Sequence, residues 1–310
     1  MYNSVSFGSI YSHYRNDTYQ KYQRAFETKP QEHQLKPYAT RIFRELPTQL
    51  AVAKIIDSTR PATIRILGCS DGSEAYAYAI ALAEENKGKS KITAVDKEPF
   101  LIEMARTGHI VCADIEKEWS NNHQLQKGSP LAGSGWNKYL NKTDEPDNFK
   151  KLCEEYPILS QITSDKVAGI SIGKGMDWYK VNQENLPKID FVQGDMRDHL
   201  EPKDGNEQQI YVVSNSLGYL ALDDPKEFLK VFVNIQNKNY KNDSVYVVLG
   251  DVEHQIFRQL PQARNVVSIL GFEPIDKQEL KNKGVLEPDV ASKNIWKLRT
   301  SSHPINLSCS

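Results

Sequence analysis

Gly68, Ser70 and Gly72, three small residues at alternate positions, are followed two residues later by an acid, Glu74. Small residues at this spacing let a backbone approach a bound molecule closely, and the first N–H groups of a following helix favour a carboxylate or phosphate. Roughly 20 residues beyond that helix start stands Asp96, an acid closing an apolar run and placed to accept hydrogen bonds from ribose hydroxyls. Two further runs end in polar groups. Ile189-Asp190-Phe191-Val192-Gln193-Gly194 leads to Asp195 and Met196, and Gln209-Ile210-Tyr211-Val212-Val213-Ser214 leads to Asn215, with Tyr219 just beyond. Together these residues offer the chemistry of holding a nucleoside with a charged appendage.

The elements that must position them follow from pattern. Ala62 to Leu67 mixes apolar and β-branched residues and suits a strand, and Ala75 to Glu85, rich in Ala, Leu and Tyr, suits a helix. Lys91 to Asp96 reads as a second strand, and a helix is expected from Pro99, because proline is tolerated in a first helical turn. Strand, helix, strand, helix is the doubly wound α/β pattern. In such sheets ligands sit outside the carboxyl ends of the strands, so Gly68, Asp96, Asp195 and Asn215 are expected to converge. The helix expected at Asp224 to Asn234, the strand at Ser244 to Leu249, and closing antiparallel strands near Gly271-Phe272-Glu273-Pro274 and Asn294-Ile295-Trp296-Lys297-Leu298 complete a mixed sheet.

Residues 1–60 carry no strand-like run and show helical spacing from Gln34 to Ile56, so they read as a helical N-terminal cap on a cofactor-binding domain spanning 61–310. From about 109 to 188 the periodicity fades into sequence rich in Gly, Asn, Lys and Ser, expected to be an irregular insertion after the second strand that is a lid, a substrate-binding element or a disordered connection. Composition points to no partner: 39 basic residues balance 40 acidic ones, which gives no field to attract nucleic acid. No apolar run approaches a membrane span and no secretory pattern opens the chain, so a cytoplasmic protein without membrane insertion is expected. The four cysteines lack CxxC spacing and the seven histidines lack ligand spacing, so neither a disulfide framework nor a metal site is expected.

Several blocks, in order along the chain, resemble the chemotaxis-receptor glutamate methyltransferases, a family of S-adenosylmethionine-dependent enzymes built on a seven-stranded sheet. Gly68-Cys69-Ser70-Asp71-Gly72-Ser73-Glu74-Ala75-Tyr76-Ala77 is similar to the family loop Gly-x-Ser-x-Gly-Glu-Glu-x-Tyr-Ser, and Ala94-Val95-Asp96 to its Ala-x-Asp. Ala105-Arg106-Thr107-Gly108-His109-Ile110 resembles its Ala-Arg-x-Gly-x-Tyr block, and Ser12-His13-Tyr14-Arg15 its Thr-x-Phe-Phe-Arg. Downstream, Ser214-Asn215-Ser216-Leu217-Gly218-Tyr219-Leu220 is similar to Arg-Asn-x-x-x-Tyr-Phe, and Gly250-Asp251-Val252-Glu253 to Gly-x-x-Glu. The resemblance covers about residues 10 to 255, excluding much of the middle. It departs at Ser73, which stands for the first paired glutamate, at Ser214, which stands for an arginine, and at Lys241-Asn242-Asp243, where a Gly-Gly turn is usual.

The resemblance implies a class I methyltransferase fold and S-adenosylmethionine as cofactor. It implies that Glu74 takes the cofactor's ammonium group, that Gly68, Ser70 and Gly72 underlie its methionine portion, and that Asp96 holds the ribose. Asp195 and Met196 would flank the adenine, Arg15 would reach a carboxylate, and Asn215 and Tyr219 would stand near the methyl group. The implied partner is a methyl acceptor, either a protein carboxylate or a small molecule. A catalytically silent binding protein on the same fold is the alternative. A nicotinamide-dependent oxidoreductase fits poorly, because Ser70 and Ser73 stand where Gly-x-Gly-x-x-Gly needs glycines.

Overall fold

The computed structural model describes residues 42–43, 45–112, 115, 135–156, 166–167, 170–171, 177–202, 207–214, 216–217, 220, 225–259 and 261–300. The strands are β1 (Ala62–Leu67), β2 (Lys91–Asp96), β3 (His109–Cys112), β4 (Leu140–Thr143), β5 (Lys166–Val167), β6 (Ile170–Ser171), β7 (Asp177–Val181), β8 (Ile189–Gln193), β9 (Gln208–Val212), β10 (Val245–Val248), β11 (Phe272–Pro274) and β12 (Ile295–Leu298). The α-helices are α1 (Leu46–Ile55), α2 (Ser73–Glu84), α3 (Pro99–Thr107), α4 (Asp147–Glu155), α5 (Pro225–Asn239), α6 (Asp251–Gln259), α7 (Pro261–Ile269), α8 (Lys277–Asn282) and α9 (Pro288–Asn294).

Seven strands form one sheet in the order β11-β12-β10-β9-β1-β2-β8. β8, β2, β1, β9 and β10 run parallel, and β12 is inserted antiparallel between β10 and β11. This is the seven-stranded mixed sheet expected from the sequence. The order reverses at β1, whose neighbours are β2 on one side and β9 on the other, so the loop after β1 sits at the topological switch point.

Alternation along the strands divides the core into two layers. Ile64, Ile66, Ile210, Val212 and Val248 face α1 and α2, whereas Leu67, Tyr211, Val213, Val245 and Val247 face a layer containing Phe228, Phe232, Phe257 and Trp296. α2 is buried nearly all round, from Ser73 to Leu82, because it lies between the sheet and α1. Its alternating alanines at 75, 77, 79 and 81 keep it slim enough for that double contact.

The described residues of the segment 109–188 are more regular than its composition suggests. β3, β7 and β4 form a three-stranded antiparallel sheet, and Phe149 of α4 packs with Phe100, Leu101 and Met104 of α3, with its ring centroid 4.7 Å from that of Trp178. Each strand is four or five residues long, and each pairs with a partner distant in sequence, so local periodicity does not reveal them. The base of this sheet is tied down. Val181 N donates to Gly108 O at 2.8 Å, Gln183 Nε2 donates to the Tyr76 hydroxyl at 3.2 Å, and that hydroxyl donates to Ala105 O at 2.8 Å. Tyr139 and Lys138 both bond to Glu84 of α2. Of the stretch Ser129 to Trp136, only 135–136 is described, where a 3-10 turn begins.

Candidate functional site

The loop after β1 is shaped by backbone geometry. Gly68 has φ +85° and Gly72 φ +83°, values that disfavour any side chain, and Ser70 takes φ +51°. Gly68 N and Cys69 N both donate to Val95 O, at 2.8 and 2.9 Å, which binds the loop to the end of β2. A Cβ on Gly68 would lie 2.6 Å from Ser216 Cβ and 3.6 Å from Met196 Cε. A Cβ on Gly72 would lie 2.8 Å from Ala105 Cβ. The loops after β1, β8 and β9 therefore meet over Gly68, as expected from the switch-point topology.

Asp96 has a double role. Its Oδ2 accepts from Ser70 N at 2.8 Å and its Oδ1 from Glu98 N at 3.1 Å, so the side chain both sets the loop and retains acceptor capacity for a ligand. Burial pushes its pKa up, opposed by those backbone N–H groups. Asp71 Oδ1 accepts from Ser73 N at 3.0 Å across the start of α2. Burial pushes Asp71 up to about 6, with Asp96 adding repulsion. Buried Glu74 lies in the first turn of α2, and Cys69, buried beside Asp96, Asp71 and Glu74, has its thiol pKa raised well above the ordinary range. Among the described residues, no Lys, Arg or His forms an ion pair with Asp71 or Asp96. Half-buried carboxylates without a counter-cation suit a positively charged ligand.

Asp195 is engaged in a local cap. It caps the 3-10 turn Met196–His199, with Oδ1 accepting from Arg197 N at 2.9 Å and Arg197 Nε at 2.8 Å and Oδ2 from Arg197 Nη2 at 2.5 Å. Met196 is half-buried against the second core layer with its methyl towards Gly68. The structure thus brings Gly68, Ser70, Gly72, Glu74, Asp96 and Met196 to one loop cluster, with Asp195 directly preceding Met196. Arg15, Asn215 and Tyr219 lie outside the described residues, although Asn215 is flanked by the described Ser214 and Ser216.

Sequence reasoning assigned no role to Asp71, Arg197, Ser216 or Glu253. Asp71 occupies a variable position of the loop pattern, and Arg197 follows Asp195 by two residues, a spacing at which an acid caps and pairs locally. Glu253 is fully buried, and its carboxylate accepts from Leu217 N at 3.1 Å and Gly250 N at 2.9 Å. It holds the loop after β9 against the loop after β10. Its only sequence signal was the Gly-x-x-Glu block. A separate depression lined by Asp243, Glu273, Asp276, Glu279, Lys297 and Arg299 lies at the opposite ends of the strands, and its charges pair with one another, as in Arg299–Glu273 and Lys297–Glu279.

Residues 38–130 match the family model described as CheR methyltransferase, SAM binding domain, where SAM is S-adenosylmethionine. Over these residues the chain is similar to a CheR-type SAM-binding domain. The match spans β1, the Gly68 loop, α2, β2 and Asp96, and with the sheet order it makes the chain a divergent SAM-dependent methyltransferase. No curated protein matches the chain by sequence. Among solved structures, the chain is similar to the plantazolicin methyltransferase BpumL in complex with SAH, at 9% identity over 94% of each chain and a TM-score of 0.38. The same enzyme with a pentazolic desmethylPZN analog and SAH gives 10% identity over 96% of this chain and 97% of that one, with a TM-score of 0.39. A protein of Methanococcus maripaludis assigned as an S-adenosyl-L-methionine-dependent methyltransferase gives 12% identity over 93% and 94%, with a TM-score of 0.31. No helix among the described residues of this methyltransferase is long and apolar enough to cross a membrane.

A cation bound beside the raised Asp71 carboxyl would make ligand affinity depend on pH. A bound cation favours the ionised form, so binding releases a proton and affinity rises with pH up to about 6, then levels off. Calorimetry with S-adenosylhomocysteine between pH 5 and pH 8 is expected to show this slope, approaching tenfold per pH unit at the acid end. Asp71→Asn should flatten it. A wild-type slope unchanged in Asp71→Asn would assign it to another group.

Proposed function

We propose that this methyltransferase moves the methyl group of SAM to an oxygen acceptor: the sequence resemblance to the receptor carboxyl methyltransferases supports the oxygen, and Asp71 and Asp96 at the switch-point loop are the observation that supports the cofactor. Their carboxylates lack a cationic partner among the described residues, and SAM brings an ammonium and a sulfonium. The residues fit that group. The bare Gly68 backbone offers no side chain to obstruct a ligand laid along the loop, Glu74 with Asp71 would receive the ammonium, and Asp96 has acceptor sites left for ribose hydroxyls. Ser70 and Gly72 would let the methionine portion lie over the loop, Met196 would pack on the adenine face, and Asp195 would meet its amino group.

SAM supplies an electrophilic methyl group on a sulfonium, so the protein's task is to align the acceptor oxygen in line with sulfur and carbon and to exclude water. A carboxylate acceptor is already ionised and needs no general base. Asn215 and Tyr219 would frame the acceptor, with Glu253 fixing the backbone of their loop through Leu217 N. Arg15 would supply a cationic fork for a carboxylate. Ser214 stands where the receptor methyltransferase pattern has arginine, and its buried Oγ has no hydrogen-bond partner among the described residues. The loss of that arginine argues for an acceptor other than a receptor glutamate, either a protein carboxylate or a small molecule. Synthesis in the cytoplasm accords with this reading.

Transfer of labelled methyl from SAM to a cell extract, fractionated into protein and small molecules and then treated with alkali, tests the acceptor atom. Release of volatile methanol identifies a carboxyl ester, whereas an alkali-stable label on nitrogen or carbon would overturn oxygen transfer to a carboxylate. With the acceptor in hand, Tyr219→Phe is expected to lower turnover by roughly ten- to a hundredfold while SAH affinity stays within about twofold. A parallel loss of affinity would place Tyr219 against the cofactor instead.

A further inference from the structure

We propose that Arg197 is a positioning residue for adenine specificity, holding the Asp195 carboxylate so that one acceptor site remains open to an amino group. The inference rests on the reading of this site as a SAM pocket. A carboxylate offers about four acceptor positions, and in Asp195 three are filled by Arg197: its backbone N at 2.9 Å and Nε at 2.8 Å on Oδ1, and Nη2 at 2.5 Å on Oδ2. Among the described residues nothing occupies the fourth, on Oδ2.

The guanidinium is held at its other end as well. Arg197 Nη1 donates to Glu227 Oε2 at 2.8 Å, and Glu227 Oε1 takes Lys230 Nζ at 2.5 Å. Because α5 fixes Glu227, the planar fork has one orientation and passes that orientation to Asp195. The charged groups acting on Asp195 are Arg197 and Lys97, both cationic, and they keep its carboxyl below the usual range. At neutral pH Asp195 is thus an acceptor only. An acceptor-only group welcomes the amino group of adenine and repels the carbonyl of hypoxanthine. Met196, the intervening residue, carries its methyl to the Gly68 loop, so the pair adjoins that loop.

The test compares binding of S-adenosylhomocysteine and S-inosylhomocysteine to the wild type, Arg197→Met and Arg197→Lys by calorimetry, with melting temperature as the fold control. The wild type is expected to favour the adenosyl ligand by roughly ten- to a hundredfold. Arg197→Met should narrow that ratio by about fivefold or more, chiefly through weaker adenosyl binding, and Arg197→Lys should narrow it too because a point charge lacks the fork. Arg197 is exposed, so both variants should melt near the wild-type temperature. A wild-type ratio retained in both variants overturns the proposal. Absence of wild-type binding to either ligand overturns the cofactor reading beneath it, a result distinct from a retained ratio.

Discussion

Asp96→Ala is expected to weaken S-adenosylhomocysteine binding by on the order of a hundredfold or more. The substitution removes two things together. Charge-assisted hydrogen bonds to two ribose hydroxyls are worth about 1.5–3 kcal/mol each when the acceptor is ionised, and a total near 3 kcal/mol already exceeds a hundredfold. The same carboxylate also holds Ser70 N at 2.8 Å and Glu98 N at 3.1 Å, so its loss frees the loop to leave the conformation in which Ser70 has φ +51°. Asp96→Asn keeps an acceptor for one of these N–H groups but no charge, and should fall between wild type and alanine. Isothermal titration of the three proteins checks the order. Equal affinity of wild type and Asp96→Ala would remove Asp96 from the site.

Gly68→Ala is expected to cost both stability and affinity, for a reason that involves two loops. At φ +85° an L-residue pays about 1–2 kcal/mol, and the new Cβ would stand 2.6 Å from Ser216 Cβ, a separation that forces one loop away from the other. Ser216 cannot yield easily, since its Oγ donates to Val213 O at 2.9 Å and the next residue, Leu217, is held by buried Glu253. A melting temperature lower by roughly 4–8 °C and SAH affinity lower by about tenfold or more are expected. Ser216→Gly removes the clashing atom, so the double variant should recover part of both losses, and thermal melts of the four proteins give the coupling directly. Additive losses, with no recovery in the double variant, would place the clash elsewhere.

The switch-point loop and Asp96 are legible in the sequence because their geometry is local. Small residues between an apolar run and an Ala-rich run, and an acid at the end of the next apolar run, describe a strand, a tight turn and a helix without knowledge of distant contacts. The strand order was foreshadowed by the repeating strand-helix pattern, and the reversed β12 by the late strands near Phe272 and Trp296. The small sheet of β3, β7 and β4 was not legible. Its strands hold two or fewer buried positions each, and its stability comes from pairing residues about 40 to 70 apart and from packing Phe149 on α3. The polar second tier was equally hidden. Nothing in the spacing of Arg197 and Glu227, or of Leu217 and Glu253, announces contact, because those pairs form only when the segments that follow different strands meet at one sheet edge.

Saturable binding of S-adenosylhomocysteine to the purified protein tests the central claim most directly. One site per chain is expected, with a melting temperature raised by several degrees at ligand concentrations well above Kd and with both effects lost in Asp96→Ala. An unchanged melting temperature at millimolar ligand, together with no heat of binding, would contradict the assignment of the Gly68 loop as a SAM site.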